Sequence, residues 1–287
     1  MYRRSLLALG AAGLASVAGC ASGDSRPDDG ATGDQTPTAT PDPTPTDTPT
    51  PEPATVERVS MAGLQPAYIA LVSPDSIGVY GDSAGQSLFL SVTPGPANPP
   101  ARSAFAFELD GSTAAPVAET PRVWRRSEGQ FGEAYTAETG GWLLFDLPAT
   151  AENPDSAQLT WPGGSWQLPA SVRQRLASEN PTFDVTVTAP ETIPLGEQPA
   201  ITVTVENTSS VPGTFLMAVN RVGPHIAYAP EAAVRRLLDS GETATVTVTP
   251  SFIDPERIQV GDTTVLKFDW YGGATERELQ FVAPDAG

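Results

Sequence analysis

One cysteine (Cys20), one histidine (His225) and one lysine (Lys267) stand among 287 residues, and each scarcity removes chemistry. A single thiol excludes an intramolecular disulfide framework and any zinc or iron–sulfur site built on several thiolates. A single imidazole leaves a Ser-His-Asp triad or a two-histidine zinc site dependent on His225 alone, and it removes a His2Cys copper centre outright. In "GPHIAY", His225 reads as a loop or strand-end residue. The sequence holds no Asp-x-Asp-x-Asp-Gly calcium loop, no Gly-Lys-Ser phosphate loop and no Gly-x-Gly-x-x-Gly fingerprint. No cofactor and no metal are expected.

Positive charge is equally sparse. Against 16 Lys plus Arg stand 34 Asp plus Glu, a formal charge of −18. Such a surface repels phosphate, so neither nucleic acid nor anionic headgroups are expected partners. An acidic, lysine-poor surface is similar to that of proteins from halophilic archaea, whose carboxylates hold water while concentrated salt screens their repulsion.

The cysteine has a position that explains it. Arg3 and Arg4 precede an apolar run from Leu6 to Gly19, 14 residues long, which ends in small residues at Cys20. This is the layout of an export signal, and the run falls short of the roughly 20 residues that span a bilayer. Val17-Ala18-Gly19-Cys20 resembles a lipobox, and Arg3-Arg4-Ser5-Leu6-Leu7 looks like a twin-arginine signal, with Tyr2 in place of the common serine or threonine before the pair. Together they resemble the leaders of haloarchaeal twin-arginine lipoproteins, which implies a signal peptide over 1–19 and a lipid thioether at Cys20. The expected location is then the outer face of the cell membrane, with membrane lipid as the first partner.

Residues 20–55 follow as a stalk in which proline alternates with threonine and aspartate, as in "TPTATPDPTPTDTPTPEP". Such a stretch has too little apolar surface to build a core and favours extended polyproline II. Beyond it, short period-two runs punctuated by Gly, Pro, Asn and Asp predict an all-β body. A first sandwich domain is expected over 56–180, with "SLFLSVT" and "AYIALV", apolar on both faces, as central strands. "QLTWPGGSWQLP" reads as a hairpin whose Pro162–Ser165 loop sets Trp161 opposite Trp166. "PASVRQRLASENP" reads as a connector of one or two helical turns stopped before Pro181.

A second sandwich domain is expected over 181–287, with strands carrying Phe183-Val185-Val187, Ile201-Val203-Val205, Val246-Val248, Leu266-Phe268-Trp270 and Leu279-Phe281. The order "FDVTVTAPETIPLGEQPAITVTVENTSSVPGTF" followed by "LLDSGETATVTVTP" resembles secreted immunoglobulin-like domains of the cell-adhesion-related bacterial and archaeal type. Propensity favours a helix at residues 231–239, whereas the resemblance implies a strand there, and strand is the expectation. The first module is similar, through "GGWLLFDLP", to immunoglobulin-like domains found behind lipoprotein stalks. The fold class is thus two immunoglobulin-like β-sandwiches behind a stalk, and neither family pattern carries catalytic residues.

The remaining candidates are contact and modification residues. Trp124-Arg125-Arg126 offers an indole and two guanidinium groups that suit an anionic sugar, or else local ion pairs. Trp161 and Trp166 suit a sugar ring if exposed and a sandwich end if buried. Asn207-Thr208-Ser209 is a glycosylation sequon in an expected turn. The leading expectation is a non-catalytic, lipid-anchored surface module for binding, adhesion or structure, with a surface protein or glycan as further partner. The rivals are a carbohydrate-active enzyme using a carboxylate pair and an accessory subunit of an exported membrane complex.

Overall fold

The computed structural model describes residues 52–81, 85–118, 123, 132–251 and 255–284. The leader with Arg3 and Arg4, Cys20, the stalk up to residue 51 and Trp124-Arg125-Arg126 lie outside the described residues. In chain order the first half contains β1 (Val56–Gln65), β2 (Tyr68–Ser73), β3 (Ser76–Tyr80), β4 (Gly85–Pro94), β5 (Ala106–Leu109), β6 (Ser112–Ala114), β7 (Gly141–Pro148), β8 (Gln158–Trp161), β9 (Gly164–Gln167) and helix α1 (Ala170–Leu176). The second half contains β10 (Phe183–Thr188), β11 (Thr192–Pro194), β12 (Ile201–Asn207), β13 (Gly213–Val222), β14 (Ala229–Leu238), β15 (Thr243–Val248), β16 (Thr263–Trp270) and β17 (Gly273–Val282). The protein is all-β, as its alternation predicts.

The first sandwich packs sheet β1-β4-β7 on sheet β6-β5-β8-β9. Leu88, Leu90 and Val92 of β4, with Leu143, Phe145 and Leu147 of β7, meet Phe105, Phe107, Leu109 and Leu159 in one core. Leu176 of α1, fully buried, closes that core from one end. The second sandwich packs β10-β12-β15 on β11-β17-β16-β13-β14. β11 runs parallel to β17, while the other ladders of these two sheets are antiparallel. Val203, Val205, Phe215, Met217, Leu266, Phe268 and Phe281 fill this core.

β14 is a strand despite the good helix formers in "EAAVRRLL". Pairing with β13 places Val234 and Leu238 opposite Met217 and Gly213, and both side chains enter the core. Burial of alternate residues in a sheet outweighs a per-residue helix preference of at most about 0.7 kcal/mol.

β4 is central, as its two apolar faces predict, but "AYIALV" is not a central strand. β2 pairs with β3 in a two-stranded hairpin that touches both sandwiches. Tyr68 packs edge-on to Phe89, whose ring meets Trp142 and Leu144 on the outer side of the first sandwich. Ile69, Leu71, Ile77 and Val79 pack instead on Leu216, Ala218 and Ala233, on the outer side of the second. Both hairpin faces are apolar because each meets a different sandwich. The described residues fall within one compact unit, Thr50–Gly287, so the change of sandwich near residue 180 is a change of core within one body.

Candidate functional site

Trp161 and Trp166 do not face each other across the hairpin. Trp161 pairs with Gly164, and Trp166 pairs with Leu159. The loop is the two-residue Pro162-Gly163, and φ of +100° at Gly163 meets the demand of a type II turn at its third position. A Cβ on Gly164 would lie 2.7 Å from the Trp161 ring, so the indole occupies the space that glycine leaves. Both tryptophans are half-buried and pack against the first core, at one end of the sandwich. The same device recurs at Trp270-Tyr271-Gly272-Gly273, where φ of Gly272 is +91° and the Trp270 ring sits 2.8 Å from a Cβ on Gly273. The repeated Trp-x-Gly-Gly pattern is visible in the sequence and marks both hairpins.

The structure places Asn207, the sequon asparagine, in the interior at the end of β12. Its side chain is fully buried, and Nδ2 donates to the carbonyls of Val211 (2.8 Å) and Leu238 (3.1 Å). Its Oδ1 accepts from the Ser209 backbone N–H and hydroxyl. A nitrogen with both protons committed in the interior offers nothing to a glycosyl donor while the chain is folded. The sequon residues form a structural turn that ties the end of β12 to the end of β14.

The most concentrated buried polar chemistry lies at one end of the second sandwich. Arg221, at the end of β13, is buried at 1% side-chain exposure and donates from Nε to Glu231 Oε1 at 2.7 Å, with Glu231 at 2%. Arg221 Nη1 also donates to the Gly223 carbonyl. Glu231 Oε2 accepts the Ser251 backbone N–H at 2.7 Å and the Ser251 hydroxyl at 3.2 Å. Oε1 is thus engaged by β13 and Oε2 by the chain after β15, so the buried carboxylate braces one against the other. His225 sits nearby, half-exposed with φ of +61°, its Nε2 3.1 Å from the Arg257 carbonyl and 3.7 Å from Asp262 Oδ2. Among the described residues no three His, Cys, Asp or Glu side chains gather as a metal site. The Arg221–Glu231 pair spans a β-bulge and carries no sequence signature that could have announced it.

A second polar feature is a surface. On the outward side of β10-β12-β15, the ladder aligns Thr186 with Thr204 and Thr245, and Thr188 with Thr202 and Thr247. The next row is Asp184, Glu206 and Thr243. Five of these seven threonines are exposed and Thr202 and Thr204 are half-buried. Strands about 4.8 Å apart and alternate residues about 6.8 Å apart set these hydroxyls and methyls in a regular uncharged grid. On the outward side of β16 and β17 charge returns, with Lys267 bonded to Glu276 at 3.2 Å and Glu278 beyond it. Glu276, then Tyr228, hold Lys267 more firmly protonated than an ordinary lysine.

The hairpin interface also contains perturbed groups. Burial, with the charge of Asp146 and the neighbouring Tyr80, pushes the Tyr68 phenol up to about 12. Asp269 of β16 is half-buried and accepts the Val79 N–H at 3.0 Å. Desolvation raises its carboxyl above the ordinary carboxylate range, and the Val79 hydrogen bond opposes part of that rise.

No protein-family model and no curated protein matches the chain. Among solved structures, it is similar to part of a β-glucosidase from Listeria innocua in complex with isofagomine, at 19% identity and a TM-score of 0.32 over 38% of this chain and 17% of that one. It is similar in the same way to a β-glucosidase from Erythrobacter marinus, at 16% identity and a TM-score of 0.31 over 37% of this chain and 16% of that one. An alkylpurine DNA glycosylase from Pseudomonas fluorescens gives 19% identity and a TM-score of 0.27 over 35% and 31%. The chain thus spans about a sixth of the β-glucosidases' length, and overlaps of this quality carry no functional argument.

Proposed function

We propose that the protein is a lipid-anchored, non-catalytic binding module of the outer cell surface in a high-salt organism, exported by the twin-arginine route. Cys20 carries the lipid, the Thr/Pro/Asp stalk holds the body away from the bilayer, and the body presents an outer sheet to a surface protein or glycan. The threonine grid of β10-β12-β15 carries the binding part of this reading. In a chain with 34 acids, two adjacent cross-strand rows hold six threonines and no charge. Charge is absent where a hydrated carboxylate would obstruct close contact with a neutral, hydroxyl-bearing partner.

The test compares wild type, Cys20→Ser and a Thr204→Arg/Thr245→Arg double variant of the full chain. Wild type is expected in the membrane fraction with a lipid-sized mass increment at Cys20, and Cys20→Ser in the medium or unprocessed. Cys20→Ser protein added to washed cell envelopes is expected to bind, and the same protein carrying the two arginines to bind far less. An unmodified thiol in membrane-extracted wild type overturns the anchor, and equal envelope binding with and without the arginines overturns the threonine face.

A further inference from the structure

The β2–β3 hairpin joins the two sandwiches without belonging to either principal sheet. Among the described residues its strands pair with each other and, through an isolated bridge, Ala70 pairs with Val123. β3 turns its free edge toward the outer side of the second sandwich, where side chains stand in for a neighbouring strand. Asn220 of β13 accepts the Ile77 N–H at 2.9 Å and donates to the Ile77 carbonyl at 2.7 Å, reproducing a backbone bridge with a side-chain amide. One step along, Asp269 Oδ2 accepts the Val79 N–H. These three bonds close over the apolar contact of Ile69 and Ile77 with Leu216 and Ala218.

Asn220 is neutral and loses nothing in that setting. Asp269 differs, because an ionised carboxylate half-buried against an apolar hairpin carries a desolvation cost that one backbone N–H only partly offsets. Gly78 brings the β3 backbone close, since a Cβ there would lie 3.6 Å from Asp269 Oδ2. Across the ladder from Asp269 stand Ala218 of β13 and Ala274 of β17, neither of which carries charge. Next along the same side of β16, Lys267 is committed to Glu276 of β17 and to the Tyr228 ring. Farther out on that side, β14 contributes Ala233 and Arg235, opposite Ala218 and Leu216. From the hairpin, Tyr80 stacks on Tyr68 at 5.9 Å, and Tyr68 in turn feels Asp146 of β7. Among the described residues no cation is paired with Asp269.

We infer that the β2–β3 hairpin is a proton-tightened clasp, with Asp269 as the group that sets how often it opens. Protonation removes the buried charge and leaves a carboxyl oxygen to accept the Val79 N–H, so the closed state gains. The sign follows from linkage: a carboxyl whose value is raised in the closed state stabilises that state most fully below the ordinary aspartate range. The contribution fades as pH rises through the raised value. Opening uncovers Leu216, Ala218 and Ala233, the apolar patch that the hairpin shields.

Hydrogen exchange of the full chain in 2 M potassium chloride, compared at about pH 7 and about pH 4 after correction for intrinsic rates, tests the clasp. In wild type the Ile77 and Val79 amides are expected to gain several-fold in protection at the lower pH, beyond any gain at β4. Asp269→Asn, which keeps the acceptor without the charge, is expected to show the higher protection already at the upper pH and little further change. Retention of the wild-type pH dependence in Asp269→Asn overturns the inference. So does a carboxyl titration of Asp269 in wild type, followed by carbon NMR, with a midpoint at or below that of an ordinary aspartate, a result independent of how the variant folds.

Discussion

At single residues the protein spends its polar and aromatic side chains on fixing turns. The two Trp-x-Gly-Gly hairpins are the clearest case, because each indole lies where a Cβ would otherwise be. Gly164→Ala and Gly273→Ala are each expected to destabilise the fold by about 1–3 kcal/mol, the range for overpacking a filled site. A lowered denaturant midpoint together with altered emission from Trp161 or Trp270 checks it. Asn207 makes the complementary point, since it reads as a modification site on the page and acts as a buried brace in the fold. Asn207→Ala leaves the Val211 and Leu238 carbonyls without their side-chain donor, at an expected loss of about 1–3 kcal/mol. Peptide mapping of wild-type protein is expected to find Asn207 bare if the chain crosses the membrane folded, and a glycan there would show that it crosses unfolded. The Arg221–Glu231 pair is the costliest to break: Arg221→Ala strands a carboxylate at 2% exposure, with an expected loss of about 3–5 kcal/mol in equilibrium unfolding.

Among elements, legibility in the sequence tracks how each strand meets water. β10, β12 and β17 have one face in a core and one toward solvent, β16 has one face in the same core and the other partly under the hairpin, and their period-two pattern names both the strand and its inward residues. β2 breaks that logic. Its two apolar faces suit a central strand, yet they serve two separate contacts made by a hairpin, and no local pattern distinguishes the cases. β11, three residues long, is too short to show a period. The threonines of β10, β12 and β15 are individually plain in "TVT" runs, but only the register assembles them into rows, and register depends on pairings 14 to 47 residues apart. The hairpin's role makes the second sandwich dependent on the first. A fragment of residues 181–287 uncovers Leu216 and Ala218, which are 5% and 0% exposed in the whole chain, and removes Asn220's Ile77 partner. That fragment is expected to self-associate or to lose stability, and Leu216→Thr within it to restore solubility. A monomeric fragment as stable as the intact chain, by sedimentation and denaturant unfolding, would count against the shared interface.

For the molecule as a whole, the excess of acids over bases sets an expectation about salt. If residues 1–19 are removed, as the proposed function requires, Arg3 and Arg4 go with them and the formal charge passes from −18 to −20. Eight acids from Asp24 to Glu57 lie in or at the end of the stalk and are offset there by Arg26 alone, so residues 58–287 retain a formal −13. At about 0.1 M salt the Debye length is about 10 Å, and like charges across a body of this size repel. At about 1 M it falls to about 3 Å, which suppresses most of that repulsion while apolar burial is unchanged or strengthened. Screening also weakens exposed pairs such as Lys267–Glu276, but a surface pair is worth no more than about 1 kcal/mol, less than the summed repulsion of a strongly acidic body. The buried Arg221–Glu231 pair is shielded from bulk ions and is little affected. Compact states are therefore expected to gain stability with salt, and the denaturant midpoint of residues 52–287 to rise between about 0.1 M and about 2 M potassium chloride, followed by tryptophan emission. Comparing urea midpoints across the two salt concentrations isolates this term, because urea adds no ions of its own. A midpoint that stays level or falls would separate the protein's acidity from any demand for salt and leave its single lysine without an explanation in charge.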